Sequence, residues 1–322
     1  MKHPHGYIAR YAALLAPIAL TAAPALAQND PTDLPGAEVL REEAAAQDRT
    51  VFVAVRGGAK GLFEADFKDE DGSISTYYLQ SGVDLSWKAS DTLRLNFGLG
   101  YEAAFYDIDG GREVFPELDE NDPFDTLHSV SLAASGQWYF SDPWYAVGAA
   151  FATAGWEPGA DFGEAWVYGG FGGIGYRFSD RFTLALGAGG TTRLEDDATF
   201  YPFISLRWNA TDDLTVETEG LGVRVTSRIN DAFDAYFRGG YEGRAYRLDE
   251  DRDSEPSAVL EDRGVYVALG VGWTPIPGLR VSLEGGAVVY RELELRDSSG
   301  DDLSEEEAEI APYAGIGIRY AF

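Results

Sequence analysis

Between residues 217 and 244, charged side chains recur at even spacings: Glu217 and Glu219, Arg224 and Arg228, then Asp234, Arg238, Glu242 and Arg244. Facing rows of opposite charge on neighbouring strands can do two kinds of work. They can neutralise each other inside a narrow barrel, or they can form a lumen charge track that guides anionic solutes through a pore. Arg56, Lys60, Arg94, Arg177, Arg193, Arg207, Arg280 and Arg319 share the same inferred face, so that wall reads as basic. The whole chain is strongly acidic, with 25 Lys and Arg against 54 Asp and Glu and a formal net charge of −29. That balance argues against a nucleic-acid partner, whose phosphates need a basic surface.

Other candidate chemistry weakens on inspection. His128 is the one histidine beyond residue 27, and Ser129 and Ser131 stand beside it. On a strand, His128 shares the outward face with Val130 and Leu132, while the serines point the other way. A base cannot activate a nucleophile across a sheet, so no catalytic residue is expected and the chain does not read as an enzyme. Gly170 to Gly175 matches G-x-G-x-x-G, but it lies between Tyr168 and Tyr176 with no helix to follow, so no dinucleotide site results. Asp69-Glu70-Asp71-Gly72 resembles part of a calcium loop, yet Phe67 and Tyr78 occupy the first and last ligand positions. There is no cysteine, which removes thiolate metal sites and disulfides. No cofactor and no metal are expected.

The elements that must carry the charged rows are strands. Short polar turns recur at Lys88 to Asp91, Ser141 to Pro143, Ser179 to Arg181, Asn209 to Asp213, Asn230-Asp231 and Thr274 to Gly278. Aromatic residues flank them: Trp87, Phe140, Trp144, Phe178, Phe182, Trp208, Phe233, Trp273 and, at the end of the chain, Phe322. Such a cluster reads as an aromatic girdle at the periplasmic face of a membrane. Longer acidic or Gly-rich connections fall near 64–73, 107–126, 157–163, 194–198, 219–220, 248–262 and 296–309. Six turns alternating with seven connections predict a transmembrane antiparallel up-and-down β-barrel of 14 strands. The alternative is 12, if the short pair 213–219 and 221–229 does not cross. Alternation assigns Leu93, Leu95, Phe97, Leu99 and Tyr101 to lipid, and Val265, Val267, Leu269, Val271 and Trp273 likewise.

The ends agree with this reading. Ile310 to Phe322 alternates apolar residues and closes on an aromatic, as the last strand of an outer-membrane barrel does. Residues 1–27 read as a signal peptide: Lys2 and Arg10, an apolar run from Tyr11 to Leu20, and cleavage near Ala27. Residues 28–48 read as a periplasmic tail with a possible short helix, and 49–322 as the barrel. Together with the Ser-Asp and Asn-Asp turns, Tyr241 to Leu248 and Arg319-Tyr320-Ala321-Phe322, these features carry a resemblance. The chain resembles the uncharacterised outer-membrane β-barrel proteins of Gram-negative bacteria, proteobacteria in particular. The expected function is a porin-like passive or weakly selective channel for small solutes in the outer membrane. The alternatives are a closed structural barrel and, third, a lipid-modifying enzyme. The expected partners are outer-membrane lipid, lipopolysaccharide and the barrel-assembly machinery, which would engage the C-terminal strand of a monomer.

Overall fold

A computed structural model describes residues 50–322 apart from 121, 122, 125 and 253. The expected signal peptide and periplasmic tail lie outside the described residues. Fifteen strands run in chain order among the described residues. They are β1 (Val51–Asp66), β2 (Ser73–Lys88), β3 (Leu93–Asp109), β4 (Thr126–Ser141) and β5 (Trp144–Trp156). Then come β6 (Trp166–Ser179), β7 (Phe182–Arg193), β8 (Asp196–Asn209), β9 (Leu214–Glu219) and β10 (Gly222–Arg228). The last are β11 (Phe233–Arg247), β12 (Val259–Ile276), β13 (Leu279–Arg296), β14 (Asp302–Ala308) and β15 (Ala311–Ala321). One helical turn, α1 (Gly111–Val114), and a 3-10 turn at Pro116–Leu118 interrupt the connection after β3.

Each strand pairs antiparallel with its sequence neighbour from β1 to β13, and β15 lies between β1 and β13. Pairing of Arg56 with Arg319, and of Arg319 with Arg280, places three arginines in one row across that closure. The result is a closed barrel of 14 strands with β14 as one extra strand. The short hairpin β9–β10 belongs to the wall. Turn chemistry is as the sequence predicts: Asn230 Oδ1 accepts the N–H groups of Ala232 and Phe233 (2.9 and 3.1 Å), and Ser90 Oγ accepts that of Leu93 (3.0 Å). Gly278, at φ 82°, makes the reversal between β12 and β13.

Outward side chains form a continuous apolar belt, with Leu269 68% and Leu283 58% exposed. Covering one such side chain contributes about 1.5–3 kcal/mol, so the belt demands a lipid surround rather than water.

At the long-loop end the strand pattern departs from a simple cylinder. β10 ends its pairing with β11 at Val223 and Gly239. From there β11 crosses the lumen and meets β5, where Glu157 donates its N–H to the Arg247 carbonyl (2.8 Å). Gly155 permits this approach, because a Cβ there would collide with the Ala245 carbonyl. β12 and β13 follow inward, and β14 extends the folded-in sheet by pairing with Arg291 to Arg296. One face of this inner sheet carries Tyr246, Leu248, Leu260, Leu293 and Leu295, packed with Ile74, Tyr106, Phe115, Phe124 and Leu127. The long-loop end of the barrel is therefore filled by a hydrophobic core.

Two expectations about loops are corrected here. Connection 248–262 is shorter than its acidity suggests, since Val259 to Asp262 is strand, and Glu261 and Asp262 are buried at 1% and 5% exposure. Connection 296–309 contains β14. In the first, Arg193 and Arg291, contributed by other strands, neutralise Glu261 and Asp262, a pairing that local charge runs do not reveal.

Candidate lumen cavity and its closure

The half of the lumen nearest the short turns holds a cavity of about 710 Å³. Its rim includes Arg94, Tyr139, Asp180, Asn209 and Arg319, and its inner limit is set by Lys60, Glu242 and Arg244. The sequence-inferred charge rows reach this space unequally. Glu217, Glu219, Arg224, Arg238, Glu242 and Arg244 line it. Asp234 stands behind Arg280 as its ion-pair partner (2.7 Å). Arg228 shares the face of Arg224 but, as the last residue of β10, sits at the short-turn rim, 54% exposed, and binds Asp213 (2.9 Å).

Most of these charges are held in pairs. Arg224 binds Glu219 (3.0 Å), Arg238 binds Glu284 (2.7 Å) and Lys60 binds Glu242 (2.7 Å). Arg224 also lies over the Tyr236 ring, 4.0 Å from its centroid. Arg56 approaches Asp84 at 3.6 Å, an ion pair without a hydrogen bond. Arg94 and Arg207 differ, since neither forms an ion pair among the described residues, and Arg319 shares Asp84 with Arg56 at longer range. Two nitrogens of Arg319, Nε and one Nη, are buried without an acceptor.

Above the cavity, a polar cluster is embedded in the core. Arg291, 1% exposed, donates to both Asp262 oxygens (3.0 and 2.8 Å) and to Thr76 (2.8 Å). Tyr106 and Tyr78 donate their hydroxyls to the same carboxylate (2.7 and 3.2 Å). Beside it, Arg244 donates to Glu102 in a bidentate pair (2.6 and 3.1 Å) and lies over the Tyr78 ring at 4.2 Å. These contacts tie β11–β13 to β2 and β3 across the full width of the barrel. Sequence reasoning missed Glu102, Asp262 and Arg291, because nothing local marks three strands as bending inward.

The opposite face of the inner sheet holds a second charged layer. Glu261, Arg263, Glu292, Glu294 and Arg296 share the face that, lower on β12, presents Val267 and Leu269 outward. They are buried rather than lipid-exposed because β6 and β7 cover them, with Val167 and Leu194 packed on Ala245 and Val259. Arg193 reaches Glu261 from β7 (2.9 Å), and Arg296 reaches Asp196 (2.7 Å). Arg263 pairs with Glu261, Glu292 and Glu294.

The aromatic residues singled out from the sequence stand at the short-turn ends of their strands. Trp87, Phe140, Trp144, Phe178, Trp208, Phe233, Trp273 and Phe322 are exposed, and Phe182 is half-buried against Phe178. His128 lies on the exterior near the other end, with Tyr101 Oη 2.8 Å from its Nδ1 and Trp156 on its other side. Ser129 is buried on the opposite face. The G-x-G-x-x-G segment is the middle of β6, where the Tyr145 ring lies directly over Gly175.

A family model described as a Domain of unknown function (DUF6268) matches residues 162–321, a span running from the start of β6 to the closing strand. No curated protein matches the chain in sequence. Among solved structures, the chain is similar to the COG4313 outer membrane channel from Pseudomonas putida F1. That likeness has 9% identity and a TM-score of 0.45, over 84% of this chain and 95% of that one. It is also similar to the Pseudomonas putida toluene transporter TodX, with 10% identity and a TM-score of 0.43 over 85% and 90% of the two chains. The Ralstonia pickettii toluene transporter TbuX is similar at 9% identity and a TM-score of 0.40, over 86% and 90%. At these identities the likeness is one of barrel architecture.

Proposed function

We propose that this protein is a barrel of the Gram-negative outer membrane acting as a passive, weakly selective channel for small solutes. The observation that carries the reading is the cavity of about 710 Å³ at the short-turn end, whose mostly ion-paired lining also includes Arg94 and Arg207, neither of them in an ion pair among the described residues. In this reading the short turns face the periplasm, the signal peptide is cleaved near Ala27, and the long acidic loops face outward toward lipopolysaccharide. The closing strand β15, paired on both edges, is the segment that the assembly machinery engages, and the barrel works as a monomer. No enzymatic activity is part of it, because His128 and Ser129 lie on opposite faces of β4.

One observation favours a second reading, a closed structural barrel: the hydrophobic core and the Arg291–Asp262 cluster obstruct the outer half of the lumen. Single-channel recording of the refolded protein in a planar bilayer separates the two. The channel reading expects small, stable, anion-preferring steps. Silence from a barrel shown to be folded by heat-modifiable migration would establish the closed form.

A further inference from the structure

The barrel wall is interrupted on one side. β8 pairs with β7 from Trp208 up to Thr199, but with β9 only at Arg207, Trp208 and Asn209. Beyond the short β9–β10 hairpin, the next full-length neighbour would be β11, which has already left the wall to cross the lumen. The exposed edge of β8 is chemically suited to stay unpaired. Leu206, the first residue past the ladder, donates its N–H to Thr218 Oγ1 (3.0 Å). Backbone groups alternate sides along a strand, so residues 204, 202 and 200 point the same way as Leu206. Pro202 has no N–H to leave unsatisfied there. Ile204 and Phe200 present apolar surface at 56% and 81% exposure. The lumen cavity reaches this gap, bounded by Phe203, Ile204 and Ser205 on β8 and by Thr218, Glu219 and Gly220 at the hairpin tip.

The two sides of the cavity are chemically different. On β5–β8 it is lined by Val147, Phe171, Ala185 and Phe203, with the Phe171 and Phe203 rings stacked at 4.2 Å. Across from them stand the ion-paired rows of β9–β13. Arg207 marks the seam, two residues below Ser205 on the inward face of β8; Glu217 is its ladder neighbour on β9, and no ion pair engages Arg207 among the described residues. An inorganic ion makes no use of the aromatic wall, and a plain hydrocarbon makes no use of the cation. A molecule with an apolar body and an anionic head uses both, and the cavity volume is in the usual range for small-molecule sites.

We infer that the gap between β8 and β11 is a lateral portal through which a single-chain anionic amphiphile passes between the bilayer and the lumen, its body on Phe171 and Phe203 and its head on Arg207. The inference rests on the channel reading and supplies that channel's cargo and route.

The absence of native cysteine allows a direct test in proteoliposomes. Ser205→Cys places a thiol beside the gap. Ser135→Cys places one in the same cavity on β4, also three residues from a girdle-level tryptophan (Trp138 against Trp208). With N-dodecylmaleimide dissolved in the bilayer, Ser205→Cys should react roughly tenfold faster than Ser135→Cys, because only the portal offers the probe a high local concentration. Equal rates would overturn the portal. A small water-soluble thiosulfonate should modify both thiols. If it reaches neither while N-dodecylmaleimide still discriminates, the open-lumen reading fails and the portal stands. Dodecanoate should protect Ser205→Cys, and Arg207→Gln should weaken that protection roughly tenfold, the scale of one charge-assisted contact. Equal protection by uncharged dodecyl maltoside would overturn the anionic-head assignment. Lysophosphatidylglycerol tested beside dodecanoate separates a membrane-derived phosphate head from a free carboxylate, and stronger protection by either supports the class.

Discussion

Arg291 shows how a single side chain can tie distant strands together inside the barrel. Its guanidinium is buried, and its partner Asp262 also accepts from Tyr78 and Tyr106. Removing one member of such a pair leaves an uncompensated charge in a core, at a cost of about 3–5 kcal/mol. Arg291→Ala should therefore lower the unfolding free energy of the refolded barrel, read from a urea titration, by that amount. Replacing both partners, as Arg291→Met with Asp262→Leu, should recover most of it, because the desolvation cost disappears with the charges. His128 offers the contrast. It sits on the exterior between Tyr101 and Trp156, so His128→Ala should change stability by no more than about 0.5 kcal/mol.

At the scale of elements, β8 and β14 behave unlike the rest of the wall. Pro202→Val should leave refolding yield unchanged, since no partner strand awaits the restored N–H. Phe203→Pro, one position along, removes an N–H from the β7 side, where Phe203 pairs with Gly187, and should lose the heat-modifiable form. β14 stands outside the spanning wall and carries Glu306, whose carboxyl is pushed above its ordinary value by burial, then by Glu70, Asp69, Glu117 and Glu305. A raised folded pKa means that the folded loops bind more protons than the unfolded chain between the ordinary value near 4.5 and the folded one. Stability from this group is present below that window and is lost as pH rises through it. Protection factors of the β14 amides, which remove the intrinsic pH dependence of exchange, should therefore rise on acidification through the window, and Glu306→Gln at neutral pH should reproduce the higher protection.

For the whole molecule, charge in the lumen divides into a paired majority and an unpaired remainder. Pairs such as Arg238–Glu284 present little net field, whereas Arg94 and Arg319 line the mouth and form no ion pair among the described residues. Arg94→Glu combined with Arg319→Glu should reverse the anion preference measured as a reversal potential in a salt gradient. Arg238→Gln with Glu284→Gln should leave it nearly unchanged. Both effects should shrink at high salt, where a Debye length of about 3 Å at 1 M screens the mouth.

Much of the architecture could be read from local patterns, because strand existence, turn position and face depend on period-two alternation and on turn residues. Trp87, Trp208 and Trp273 marked one rim, and Asn209 to Asp213 with Asn230-Asp231 kept the short hairpin in a count of 14. The membership of the cavity was partly legible too, since Glu217, Arg224, Arg238 and Glu242 follow from the same alternation. What the alternation could not show was where a strand leaves the wall. β11 turns inward because Gly155 admits its backbone, and a bulge at Val289 moves Glu292, Glu294 and Arg296 onto the face of Glu261 and Arg263. Those charges read as loop or lipid-facing along the chain, and only contacts with Arg193 and Asp196, far away in sequence, make their burial affordable. The sequence by itself determined a lipid-belted barrel with a charged lumen. The inward fold of β11–β13 and the open edge of β8 were decided by tertiary structure, because both depend on which distant strands meet.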